Sequence, residues 1–128
     1  MTKTLLIADD CRSILEYLRI ELQHEGYRIL MAEDGDEAVL MFQAEQPDVV
    51  VLDISMPRMG GIEATVAMRS IDPHLPVILI TAQLEGWPGD PRARDANALL
   101  EKSPDLAELK AAIAGCLNGS HPRGPATG

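Results

Sequence analysis

An aspartate pair, Asp9-Asp10, a lone Asp53, Thr81 and Lys102 share one property: each stands where a short apolar run stops. The runs are Leu5–Ala8, Val49–Leu52, Val77–Ile80 and a weaker Ala98–Glu101. Were these parallel strands of one sheet, their ends would share an edge, with neighbours about 4.8 Å apart. Two carboxylates about 5 Å apart repel by roughly 3 kcal/mol at an effective dielectric of 20. A cluster of three must therefore either protonate or hold a hard cation. Oxygen donors with no histidine or thiolate among them select Mg²⁺. That ion commonly accompanies a phosphate, for which Lys102 supplies a point charge and the Thr81 hydroxyl a hydrogen bond. Asp53, the single acid at its strand tip, is the candidate nucleophile, since carboxylates form acyl phosphates. Behind it runs a tight turn from Ile54 to Gly61, in which Pro57 fixes the loop and Gly60-Gly61 let the backbone pass close to the site.

The elements that would place these groups follow from pattern. Short unbroken runs of branched residues read as strands buried on both faces, as in a parallel sheet. A further weak strand spans Tyr27 to Ala32. Between strands, Ile14, Leu15, Leu18 and Leu22 fall on one helical face, as do Ala38, Met41 and Phe42, with Asp34 as the cap of that second helix. Leu106, Leu109, Ile113 and Leu117 form a last stripe, opened by Ser103-Pro104 as cap and first turn. The alternation predicts an α/β fold, a flavodoxin-like doubly wound five-stranded parallel sheet of order 2-1-3-4-5 with helices on both faces. One crossover breaks the repeat. Gly86-Trp87-Pro88-Gly89-Asp90-Pro91 occupies the start of the fourth helix, where each proline costs roughly 3 kcal/mol and each glycine about 1. The fourth helix is thus short, from Pro91 to about Asp95, or missing.

At 128 residues the chain reads as one domain, residues 1–118, with a Gly- and Pro-rich disordered tail over 119–128. Twenty acidic against 11 basic side chains leave a net charge of −9, which argues against nucleic-acid or anionic-membrane binding. No apolar run is long enough to span a bilayer and no basic-then-apolar leader opens the chain, so a soluble, cytoplasmic protein is expected. Cys11 and Cys116 then read as free thiols, placed at opposite ends of the sheet by their helices. Cys11 is read as a packing residue, Trp87 as a cover over the sheet edge that the short helix leaves open, and the six methionines as gap-fillers in an aliphatic core.

Asp9-Asp10, Asp53 with Met56-Pro57 and Gly61 behind it, Thr81-Ala82 and Lys102 together resemble the receiver domain of bacterial two-component response regulators, over about residues 3 to 117. The resemblance implies that Asp53 accepts a phosphoryl group from a histidine kinase or phosphotransfer protein. It also implies that Asp10, Asp53 and the Ser55 backbone carbonyl hold Mg²⁺, with Asp9 acting mostly through water. Thr81 and Lys102 would grip the phosphoryl group and report it to a downstream protein; a homodimer also fits this pattern. Three features depart from the family pattern. Leu99 stands where an aromatic switch residue is usual, Asp95-Ala96 replaces a Gly-Ala pair, and Ser103 separates Lys102 from Pro104. The phosphorylation chemistry is thus expected intact and the output surface altered.

Each residue alone has an ordinary reading: aspartates end strands, threonine suits sheets, and a lysine is usually a solvated charge. Only their joint placement argues for a site. The alternatives weighed are a phosphorylation-independent adaptor with the same fold and a phosphohydrolase of the haloacid-dehalogenase type. The latter needs an acid two residues after the nucleophile, where Ser55 stands, and a cap domain for which 128 residues leave no room. A dinucleotide binder would need a Gly-rich turn after the first strand, and none is present.

Overall fold

The computed structural model describes residues 2–118. Five strands, β1 (Thr4–Ala8), β2 (Arg28–Ala32), β3 (Val49–Asp53), β4 (Val77–Thr81) and β5 (Ala98–Glu101), alternate with α1 (Arg12–His24), α2 (Gly35–Glu45), α3 (Gly61–Ile71) and α4 (Ala107–Leu117). All pairings are parallel and the order is β2-β1-β3-β4-β5, as the sequence predicts.

Period-2 geometry sorts the apolar runs into two layers. Leu6, Ala8, Val50, Leu52, Val77 and Leu79 point to the side covered by α2 and α3. Leu5, Ile7, Val49, Val51, Ile78 and Ile80 point to the side covered by α1 and α4. All twelve are at most 5 % exposed, which is why the runs show no polar alternation. Each methylene placed there contributes about 0.8 kcal/mol of transfer free energy. Asp34 caps α2, accepting a hydrogen bond from Gly35 N–H at 2.8 Å.

Between β4 and β5 the crossover holds only a single 3-10 turn, Pro91–Asp95, capped by Asp90. Ala93 and Trp87 pack from it onto the α2/α3 layer, Ala93 buried and Trp87 partly so. A polar strut does the rest. From α3, the Arg69 guanidinium donates to the carbonyl oxygens of Leu75 and Asp95 and, at 2.9 Å, to Asn97 Oδ1, which also accepts from Val77 N–H. Asn97 is 5 % exposed, so these bonds satisfy a polar group in the interior.

Two expectations need correction. The last helix starts at Ala107, not at Ser103-Pro104. Ser103 Oγ accepts from Asp105 N–H and Asp105 Oδ1 from Ala107 N–H, so the segment spends its polar side chains on two successive turns before the helix begins. The residues buried from α4 are Leu109, Ile113 and Cys116, with Leu106 buried just ahead of it and Leu117 only partly covered. Cys11, in turn, is exposed at the mouth of α1 rather than packed; Cys116 is buried, and both are free thiols. Segment 119–128 lies outside the described residues. No described helix is long and apolar enough to cross a membrane.

Candidate functional site

The C-terminal edge of the sheet gathers the acids. Asp9 follows β1 and is fully buried, Asp10 beside it is exposed, and Asp53 closes β3 at 4 % exposure. One carboxylate oxygen from each lies within 4.8 Å of the other two. Lys102, the residue after β5, reaches across with its ammonium 3.0 Å from Asp53 Oδ2 and 2.8 Å from Asp9 Oδ2. Thr81 is the last residue of β4, buried, and its backbone oxygen accepts from Lys102 N–H at 2.7 Å. Ser55 donates its N–H to Asp53 Oδ1 at 3.1 Å. Asp9, Asp10 and Asp53 are therefore in mutual reach, with Lys102 paired to Asp9 and Asp53, Thr81 on the same edge and Ser55 on the adjoining turn.

The electrostatics of the two central groups differ in an instructive way. Burial pushes the Asp53 carboxyl above its ordinary pKa, outweighing the opposing hydrogen bonds from Lys102 and Ser55. Burial also works against the Lys102 ammonium, but there its pairing with the carboxylates of Asp9 and Asp53 wins, and its pKa is raised. The same ion pair thus loses to desolvation at the aspartate and prevails at the lysine, because Asp53 is much the more deeply buried partner.

Three acids facing one ammonium leave the centre short of positive charge. Asp9 Oδ1 accepts from Cys11 N–H at 2.8 Å. Asp9 Oδ2, although 2.8 Å from Lys102 Nζ, is not aligned for a hydrogen bond. It is the buried side-chain polar atom left without a hydrogen bond among the described residues. A hard divalent cation fits this donor set, since all its donors are oxygens and one buried oxygen still lacks a hydrogen bond.

The turn behind Asp53 is held close by its glycines. A Cβ on Gly61 would lie 2.4 Å from the Asp53 carbonyl oxygen, and one on Gly60 2.5 Å from that of Ile54. Gly61→Ala should gain about 1 kcal/mol of helix propensity and lose more to this backbone collision. We expect a net destabilisation of about 2 kcal/mol in urea unfolding, with displacement of Asp53.

Sequence reasoning missed the partners that act over long separations. Asp34 does more than cap α2, since it also accepts from Arg58 and Met59 N–H. A groove of about 340 Å³ bordering Lys102, lined by Ile14, Tyr17, Leu18, Leu100, Pro104 and Leu106, likewise left no mark in any single segment.

The chain is 40% identical over 83 residues to the response regulator MprA of Mycolicibacterium vanbaalenii, covering 65% of this chain and 36% of MprA. It is 36% identical over 85 residues to the alkaline phosphatase synthesis transcriptional regulatory protein PhoP of Bacillus subtilis, covering 66% of this chain and 35% of PhoP. The chain thus spans about a third of the length of these curated relatives. Among solved structures, the response regulator TrrA of Thermotoga maritima, in complex with Mg²⁺-BeF, superposes with a TM-score of 0.85 at 36% identity, covering 90% of this chain and 99% of TrrA. TrrA in complex with the histidine kinase ThkA gives 0.83 at the same identity, covering 91% of this chain and 99% of TrrA. The family model for the response regulator receiver domain matches residues 5–114, and to that family, whose sheet-edge acids it also carries, this chain belongs.

Proposed function

We propose that residues 1–118 act as a phosphoacceptor, taking a phosphoryl group from a histidine kinase or phosphotransfer protein onto Asp53 and thereby switching the binding of a downstream protein. One observation carries this reading: a nearly buried strand-end carboxylate lies 3.0 Å from an ammonium and within ligand reach of two further acids. TrrA's capture with Mg²⁺-BeF and with ThkA supports it. An Asp53 carboxylate oxygen attacks phosphorus, and the donor's imidazole nitrogen leaves. Lys102 sits where charge develops on the phosphoryl oxygens, and Thr81 stands at the adjoining strand end to donate its hydroxyl to one of them. Asp9, Asp10 and Asp53, with the Ser55 carbonyl, would hold Mg²⁺, which when bound offsets the negative charge of carboxylates and phosphoryl oxygens together. The domain then catalyses only its own phosphoryl transfer and hydrolysis, in the cytoplasm, where it meets its kinase. Its net charge of −9 points to protein partners rather than nucleic acid or anionic membrane, and a homodimer is compatible with it.

The test is incubation with acetyl phosphate. We expect Mg²⁺-dependent incorporation of one phosphoryl group per chain, released by hydroxylamine as an acyl phosphate is. Incorporation that is stable to hydroxylamine, or none in the presence of Mg²⁺, overturns the reading.

The switch is expected to differ from the family's usual form, because Leu99 on β5 offers no hydroxyl; it and Trp87 both pack, partly buried, against the α2/α3 layer. We assign the response to the segment from Gln83 to Ala96. It is tethered near the site through Leu84 N–H, which donates to Glu101 Oε1 at 3.0 Å. Beryllofluoride with Mg²⁺ should change Trp87 fluorescence. An unchanged spectrum alongside full acetyl phosphate labelling would favour an adaptor whose binding ignores phosphorylation.

A further inference from the structure

The segment from Ser55 to Met59 carries the backbone carbonyl assigned above to the cation, yet it is a loop. Its ends are fixed by the sheet and by α3: Ile54 N–H donates to Ile80 O at 2.9 Å and Gly61 N–H to Ile54 O at 3.0 Å. Its middle is held from another element. Asp34, 2 % exposed at the mouth of α2, accepts from Arg58 N–H on Oδ2 at 3.0 Å and from Met59 N–H on Oδ1 at 2.8 Å. The next residue returns the contact, Gly35 N–H donating to Met59 O at 3.0 Å. The approach is close enough that a Cβ on Gly35 would lie 2.3 Å from that oxygen. Outside, the Arg58 guanidinium adds a two-pronged pair to Asp36, at 2.8 and 3.1 Å.

A helix cap needs none of this. Ncap duty occupies one acceptor, and serine or asparagine perform it as well as aspartate. Asp34 instead spreads two oxygens of a 2 % exposed side chain over three backbone N–H groups belonging to two elements. We propose that Asp34 is a positioning residue for the phosphoryl site. By strapping the 54–60 turn to α2, it fixes the Ser55 carbonyl relative to Asp53 and so sets the affinity of the acid cluster for a divalent cation. The proposal rests on the phosphoacceptor reading for its purpose, but its measurable content is cation affinity.

Three variants separate strap from cap. Asp34→Ser keeps a capping oxygen on a side chain too short to reach both Arg58 and Met59. Asp34→Asn keeps the Oδ1 contacts but opposes an amide to Arg58 N–H. Asp90→Ser alters a cap of comparable kind, on the 3-10 turn, that touches nothing in the 54–60 turn. Mg²⁺ binding by the full chain, without any phosphodonor, is titrated by calorimetry, and melting temperature is recorded in parallel. Disturbing groups that orient metal ligands typically weakens binding about 10- to 100-fold. We therefore expect at least about a tenfold loss for Asp34→Ser, a smaller loss for Asp34→Asn, and wild-type affinity for Asp90→Ser. Wild-type Mg²⁺ affinity in a folded Asp34→Ser or Asp34→Asn protein overturns the proposal, whatever acetyl phosphate does. If wild type binds Mg²⁺ and Asp34→Ser loses it, but neither is labelled by acetyl phosphate, the strap stands and the phosphoacceptor reading fails.

Discussion

Asp53→Asn is expected to bring acetyl phosphate labelling down to background and, without Mg²⁺, to melt higher than wild type. The first effect is chemical: an amide cannot serve as the attacking group, and no other carboxylate sits at the tip of β3 with Lys102 at 3.0 Å. The second follows from the raised pKa of Asp53, whose chief cause is burial. The fold prefers this group protonated, so ionising it at neutral pH works against folding. The sign can be checked by pH. Wild type should recover the lost stability as pH falls through the folded-state pKa of Asp53 towards the ordinary value of 3.8. Asp53→Asn lacks that contribution, so the two melting curves should converge on acidification. Added Mg²⁺ should stabilise wild type and do so far less for the variant. A variant that labels like wild type, or melts well below it, would contradict the assignment.

Lys102→Met should cost stability rather than add it. Removing one partner of a buried ion pair typically destabilises by roughly 3–5 kcal/mol, since the other charge stays behind uncompensated. Here the lysine side chain is 20 % exposed, so we expect about 2–3 kcal/mol at neutral pH in the absence of Mg²⁺. Three acids would then face one another with no cation, and Mg²⁺ should restore most of the loss. The double variant Lys102→Met/Asp53→Asn should be less destabilised than Lys102→Met alone, because the excess charge is gone. Labelling by acetyl phosphate at saturating Mg²⁺ should slow by about a hundredfold, the usual consequence of removing one charge-stabilising donor. Urea unfolding with and without Mg²⁺ measures the first effect, and the initial rate of incorporation the second. Unchanged stability would mean that the lysine is a spectator.

What could be read beforehand, and what could not, divides along sequence separation. The three central strands declare themselves because each is a local run buried on both faces, and the acids declare themselves because a parallel sheet brings its strand ends together. The observed strands β3 and β4 run one residue further than the apolar runs, taking in Asp53 and Thr81. The polar tips are therefore part of the ladder rather than of the loops after it. The Pro91–Asp95 turn was legible because proline and glycine act on their own backbone. Asp34 was legible only as a cap: its bonds to Arg58 and Met59 span 24 and 25 residues, and nothing local marks them. Arg69 and Asn97, 28 residues apart, escaped for the same reason. At Ser103-Pro104 the local signal was real but belonged to a turn, because serine and aspartate side chains satisfy turn backbones as readily as helix ends.

The hydrogen bond from Lys102 N–H to Thr81 O, at 2.7 Å, closes the β4–β5 crossover at its base, and Asn97 N–H to Val77 O ties down the far end at 2.8 Å. Everything between hangs from fixed endpoints as a cassette. Because both anchors are backbone hydrogen bonds, the placement of Thr81 and Lys102 does not depend on side chains inside the cassette. If the 83–96 segment responds at the site, its motion is therefore expected to be a flexing between fixed ends rather than a shift of the strands that carry Thr81 and Lys102.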